Sequence, residues 1–310
     1  MKTTSDFSAN SIPMSQITFS IALIFAFLAT TGSVAQVGIP TPPKQDAKST
    51  AAPERTEFDY TRFQSVSYVT YEADDKSLVC DVYVPDGKGP FPAILMIHGG
   101  AWKSGTKLHM KGHAAAAAKK GFVAVSINYR HAPKYKWPAQ NEDCCNALKW
   151  MVGNADKYKI DSNKIALWGY SAGGHMATFV ATRKNKQDLP PLTCVVCGGG
   201  PVDLTLFPKD LPFLTYFLGA TPRQAPEKYR QASPITHLSK KTPPLFFYHG
   251  EQDLMVPIEG VKNMVAKAKK LGVTCEFMTV PGKEHFLTFF DQNSYDRALE
   301  FIRQRAESRR

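Results

Sequence analysis

From Phe58 onward the chain alternates between two kinds of apolar pattern. Short dense runs, PAILMIHGG, FVAVSINY, KIALWG, LTCVVCGG, LFFYHG and CEFMTV, stand between polar or glycine-rich breaks. Apolar density without alternation is what a strand buried on both faces requires. Between these runs lie segments of helical character: alanine-rich Lys111 to Lys120, Asn141 to Val152, AGGHMATFVATR, IEGVKNMVAKAKKLG, and a last one near Ser294 to Arg303. The earlier runs FQSVSYVT and SLVCDVYVP predict a hairpin turning at Asp74-Asp75-Lys76. Asp161-Ser162 is expected as a turn ahead of KIALWG. Strands alternating with helices predict an α/β fold, with a mostly parallel sheet covered by helices on both faces. Residues 201–241 break the alternation with many prolines and aromatics. They predict an insertion of short helices and turns over the top of the sheet.

Ahead of this region the pattern differs. ITFSIALIFAFLATTG is an apolar run too short for the roughly 20 residues of a membrane span. Small residues Ser33 and Ala35 follow it, as signal-peptidase cleavage after Ala35 requires. Residues 1–35 are therefore expected to be a signal peptide, and the protein to be exported to a periplasm or the exterior with no stable membrane span. Residues 36–57, rich in Pro, Ala, Lys and Thr, predict a flexible linker. Residues 58–310 are the expected folded domain.

Composition changes little in this picture. The chain has 310 residues, 43% hydrophobic and 21% charged, ordinary globular values. Its net charge of +11 is dispersed, without the basic runs or aromatic-basic repeats of nucleic-acid binding. The six cysteines are even in number, and export permits disulfides, but they sit in strand-like and helical runs where buried free thiols are common. Neither the cysteines nor the histidines show metal-ligand spacing. No cofactor is expected.

Candidate chemistry concentrates at strand ends. KIALWGYSAGGHM places Ser171 within Gly-x-Ser-x-Gly, between a predicted strand and a helix. Glycines there allow the sharp turn that leaves a nucleophile exposed, although a serine at a helix start also serves as an N-cap. HGGAW follows a buried strand, so the amides of Gly99 and Gly100, with that of Ala172 after the serine, can hold a developing oxyanion. Asp253 in FFYHGEQDLMVP is the expected acid, with Glu251 and Asp203 as rivals. His285 in VPGKEHFLTFF, expected in a loop, is the candidate base. Trp102 is a candidate substrate-binding residue, and Phe213, Tyr216 and Phe217 are candidates to line an acyl or alcohol pocket.

HGGAW, NYRHAPKYKWPAQNEDC, GYSAGG, HGEQDLMVP and GKEHF together resemble the esterase/lipase branch of the α/β-hydrolases. That branch includes hormone-sensitive-lipase-like carboxylesterases and bacterial feruloyl or acetyl-xylan esterases. The resemblance covers Tyr60 to Arg303 and implies Ser171 as nucleophile, Asp253 as acid and His285 as base. It also implies Gly99, Gly100 and Ala172 as oxyanion donors. The third position of the usual glycine triplet is Ala101, which brings the chain nearer the feruloyl-esterase-like and formamidase-like relatives. The expected activity is hydrolysis of short-chain or carbohydrate-linked esters through an acyl-enzyme. The substrate would be a small molecule or a polysaccharide-linked ester. An amidase or peptidase on the same centre, and a catalytically silent binding protein, are the alternatives.

Overall fold

The computed structural model describes residues 57–74, 76–183, 188–208 and 211–308. The predicted signal peptide, and the linker as far as residue 56, lie outside the described residues. The strands are β1 Tyr60–Tyr71, β2 Lys76–Pro85, β3 Phe91–Ile97, β4 Val123–Ile127, β5 Ile160–Tyr170, β6 Leu192–Gly198, β7 Leu245–Gly250 and β8 Cys275–Val280. The α-helices are α1 Lys111–Lys119, α2 Ala139–Gly153, α3 Ala172–Thr182, α4 Pro212–Leu218, α5 Pro226–Ala232, α6 Pro234–His237, α7 Ile258–Leu271, α8 His285–Phe289 and α9 Gln292–Glu307. One eight-stranded sheet runs in the order β1-β2-β4-β3-β5-β6-β7-β8. The β1–β2 and β2–β4 pairs are antiparallel and the other pairs are parallel.

Alternating residues of each strand feed opposite cores. Along β3, Ile94 and Met96 point to the side covered by Ala114, Ala117 and Ala118 of α1 and Phe301 and Ile302 of α9. Ala93, Leu95 and Ile97 point to the side covered by Leu148 of α2, Met176 and Val180 of α3 and Met264 of α7. The strand is apolar throughout because neither face meets water, as the sequence pattern predicts. All six cysteines are free thiols, and all but half-buried Cys275 are fully packed inside.

Two local expectations change. Asp161-Ser162 does not precede the strand but lies within β5. While β3 advances two residues, from Phe91 to Ala93, its partner advances five, from Ile160 to Ile165. The turn chemistry is present, with Asp161 Oδ1 accepting from the Asn163 amide at 3.0 Å, but it makes a bulge inside a longer strand. His285 opens helix α8 instead of sitting in a loop. The insertion after β6 contains α4, α5 and α6 as expected, together with a 3₁₀ turn at Leu204–Leu206. Among the described residues no helix is long and apolar enough to cross a membrane.

Candidate active site

The site is assembled at the carboxyl ends of β3, β5, β7 and β8, where parallel strands deliver loops to one edge of the sheet. Ser171 connects β5 to α3 with φ 54° and ψ −122°, a conformation outside the regions open to most L-residues. The turn is so tight that a Cβ at Gly169 would run into the backbone of Gly173. The Ser171 carbonyl accepts the first helical bond, from the His175 amide at 3.0 Å, but its hydroxyl makes no capping bond. Instead, Ser171 Oγ lies 2.9 Å from His285 Nε2.

His285 Nδ1 donates to Asp253 Oδ2 at 2.6 Å, which leaves Nε2 as the acceptor facing the serine. The hydroxyl of Tyr170, the residue before the serine, donates to the His285 carbonyl and pins the histidine's backbone. The Asp253 carboxylate is buried, with Oδ1 accepting from the Met255 and Val256 amides at 2.9 Å each. Burial alone would raise its pKa. Hydrogen bonds from His249 and His285 outweigh that and hold the carboxyl well below the usual range. Glu251 points elsewhere, accepting from the Gly282 amide at 3.2 Å. Asp203 caps its own turn through the Thr205 amide at 3.0 Å.

Facing the serine is the turn after β3. A Cβ on Gly99 would stand 3.1 Å from the Ser171 Cβ, so this backbone passes directly against the nucleophile. Gly100 has φ +115° and no room for a side chain beside the Ser104 carbonyl. Ala172 begins α3 on the other side of Ser171. His98 is wholly buried, stacks on Tyr129 at 4.2 Å, and donates from Nδ1 to the Gly99 carbonyl at 2.7 Å. Burial lowers its pKa to about 3, which keeps it a neutral donor.

Trp102 departs from its expected role. Its side chain is 1% exposed and stacks on Phe217 at 4.2 Å, with its Nε1–H donating to His175 Nδ1 at 3.2 Å. It offers no surface to a substrate and instead anchors the turn. Phe217 is buried with it, whereas Tyr216 is exposed. The large apolar side chains that do reach solvent beside the triad are Leu254 and Met255, from the loop that carries Asp253, and Phe286, Leu287 and Phe290, from the short helix that His285 opens and its C-cap. Their exposure was not legible in the sequence, where they read as loop residues. His249 and His175 also lie close to this site, and nothing in their spacing along the chain marks them. Among the described residues no group of three His, Cys, Asp or Glu side chains is placed to hold a metal ion.

Comparisons with known proteins agree with this architecture. A truncated carbohydrate esterase from gut microbiota superposes with a TM-score of 0.74 at 26% identity, covering 83% of this chain and all of that one. Esterase LipC of Mycobacterium tuberculosis is 29% identical over 77% of this chain and 65% of its own length. From the same organism, "Probable carboxylic ester hydrolase LipM" is 33% identical over 60% of this chain and 47% of its own. The chain thus spans about half to two thirds of the length of these curated relatives. The fold is that of the α/β-hydrolases, in their esterase branch. The family model BD-FAE matches residues 80–268, a segment that runs from β2 through Ser171 and Asp253 into α7, and the chain belongs to the BD-FAE family.

Proposed function

We propose that this protein is a serine carboxylic-ester hydrolase that works through an acyl-enzyme on short-chain or carbohydrate-linked esters. The observation that carries the reading is the continuous hydrogen-bonded line Ser171–His285–Asp253, at 2.9 and 2.6 Å, ending on a serine held in a strained strand-to-helix turn. The names of the esterase relatives support it. His285 takes the Ser171 proton as Oγ attacks the ester carbonyl, and the imidazolium that forms is stabilised by ionised Asp253. The amides of Gly99, Gly100 and Ala172 receive the oxyanion. His285 then protonates the departing alcohol and activates the water that releases the acid.

The test is a panel of esters graded by acyl length, acetylated xylan and feruloyl esters included, with matched amides, assayed on the purified protein and on Ser171→Ala. Wild-type cleavage of short aryl esters, lost in the variant, is the expected result. Equal activity in both would remove Ser171 from the mechanism. A fluorophosphonate label on Ser171 reports the nucleophile without knowledge of the substrate. The N-terminal pattern supports export with cleavage after Ala35. Sequencing the amino terminus of the exported protein tests that reading.

A further inference from the structure

The turn that faces the nucleophile is held in an unfavourable shape. Gly100, Ala101 and Trp102 have φ of 115°, 50° and 57°, and two of the three carry side chains. A left-handed run in L-residues persists only where the surroundings over-determine it. The side chain that anchors this run is Trp102, and its one hydrogen-bond partner is the imidazole of His175. That ring, fully buried, also lies edge-on to the indole at 5.1 Å. Its other nitrogen, Nε2, bonds the Ala232 carbonyl of α5 at 2.8 Å.

These partners fix the ring's protonation. A carbonyl requires the proton on Nε2, and the Trp102 N–H requires a lone pair on Nδ1. Burial lowers the His175 pKa to about 4, so the ring is neutral and carries that lone pair at neutral pH. His175 lies one turn along α3 from Ser171, whose carbonyl its amide meets at 3.0 Å. One imidazole therefore joins the Gly99–Trp102 turn, the helix that begins with Ala172, and the insertion.

We propose that His175 is a positioning residue that sets the spacing between the two sides of the oxyanion site, through its Nδ1 acceptor for Trp102. This rests on the ester-hydrolase reading and adds a residue to it. The Gly99 and Gly100 amides come from one side and the Ala172 amide from the other. They work only if their separation matches the oxyanion, and donors of this kind act on the transition state more than on bound substrate. Loss of the tether therefore lowers kcat and leaves KM nearly unchanged.

Two amide substitutions separate tethering from packing. In His175→Asn the side-chain carbonyl falls near the Nδ1 position and keeps an acceptor for Trp102. In His175→Gln the side-chain amide falls near Nε2 and keeps the Ala232 bond while losing that acceptor. With an ester that the wild type cleaves, His175→Gln and Trp102→Phe are expected to lower kcat on the order of tenfold or more, with KM within about twofold. His175→Asn is expected to stay within about threefold of wild type, and the Trp102→Phe/His175→Gln double variant to be no slower than the slower single. The Trp102 indole proton resonance, assigned by its absence in Trp102→Phe, should move in His175→Gln and hold its place in His175→Asn. Equal loss in the Asn and Gln variants, or wild-type kcat in both His175→Gln and Trp102→Phe, would overturn the proposal. The indole resonance tests the tether whatever the substrate, and Trp102→Phe tests it from the other side of the bond if the histidine variants fold poorly. A wild type that cleaves no ester fails the parent reading instead. An indole signal indifferent to both histidine variants fails this one.

Discussion

His249 Nε2 lies 3.2 Å from Asp253 Oδ2, the same oxygen that holds His285. Its Nε2 is also 3.0 Å from the Val256 carbonyl, so one buried N–H serves the carboxylate and the loop that wraps it. With the Met255 and Val256 amides on Oδ1, this carboxylate is fixed on both oxygens before His285 reaches it. Replacing His249 with Leu should lower kcat/KM about tenfold, in keeping with a lost hydrogen bond to a charged group. His249→Gln, which can return a donor near Nε2, should recover part of that loss. Steady-state kinetics on a short aryl ester decide, and identical behaviour of the Leu and Gln variants would assign His249 to packing alone.

Ser171 reverses the usual ranking of alanine and glycine. Both substitutions delete the bond to His285, so the difference between them isolates the backbone at φ 54° and ψ −122°. Strain there of about 1–3 kcal/mol, less the extra unfolded-state freedom of glycine, should leave Ser171→Gly more stable than Ser171→Ala by about 1 kcal/mol. Urea unfolding of the two inactive variants measures this directly. Alanine coming out ahead would mean that the elbow stores no strain.

Gly169 should tolerate nothing larger. A Cβ there meets backbone of Gly173, which has no rotamer by which to yield. Gly169→Ala should cost about 2–4 kcal/mol and lower the melting temperature accordingly. It should also lower activity, because relief of the clash moves the Ser171 turn.

Acid should weaken the fold before the carboxylates titrate. His98 and His175 are fully buried, and burial lowers their pKa values from 6.5 to about 3 and about 4. In the unfolded chain both take up a proton near pH 6.5, while the native state stays neutral. Stability therefore falls as pH drops below 6.5, by up to about 1.4 kcal/mol per pH unit for each histidine, until each folded value is reached. Asp253 adds a further loss below the ordinary carboxylate range near 3.9, since its folded pKa is depressed. Chemical denaturation at a series of pH values should show the decline already between pH 6.5 and 5. A flat profile over that interval would contradict it.

Most of the sheet was legible because strands buried on both faces leave a contiguous apolar signature, as in β3, β4 and β7. Ser171, Asp253 and His285 were legible because strand-end glycines and chain order mark them, and the structure brings those three together. Trp102 was misjudged because position in sequence tells which turn a residue belongs to, not which way its side chain leaves it. Here φ 57° turns the indole inward onto Phe217. The β5 bulge was missed for a related reason: turn chemistry at Asp161 predicts a local reversal, yet neighbouring strands paired on either side of it keep the segment in the sheet. The contacts of His175 and His249 are not legible in the sequence, because the partners of His175 lie 57 and 73 positions away and His249 lies against a carboxylate oxygen already engaged by His285.

The insertion leaves the sheet after β6, which lies between the strand ending at Ser171 and the strand ending at the Asp253 loop. It is thus a cassette placed, in chain order, between nucleophile and acid and contributing to neither. Its length can change without re-registering a single strand. One line of that cassette is not free to drift: the main-chain carbonyl of Ala232, which His175 reads without regard to the side chain there. Chimeras that exchange residues 201–241 between relatives therefore inherit a geometric constraint on backbone path, not a constraint on sequence.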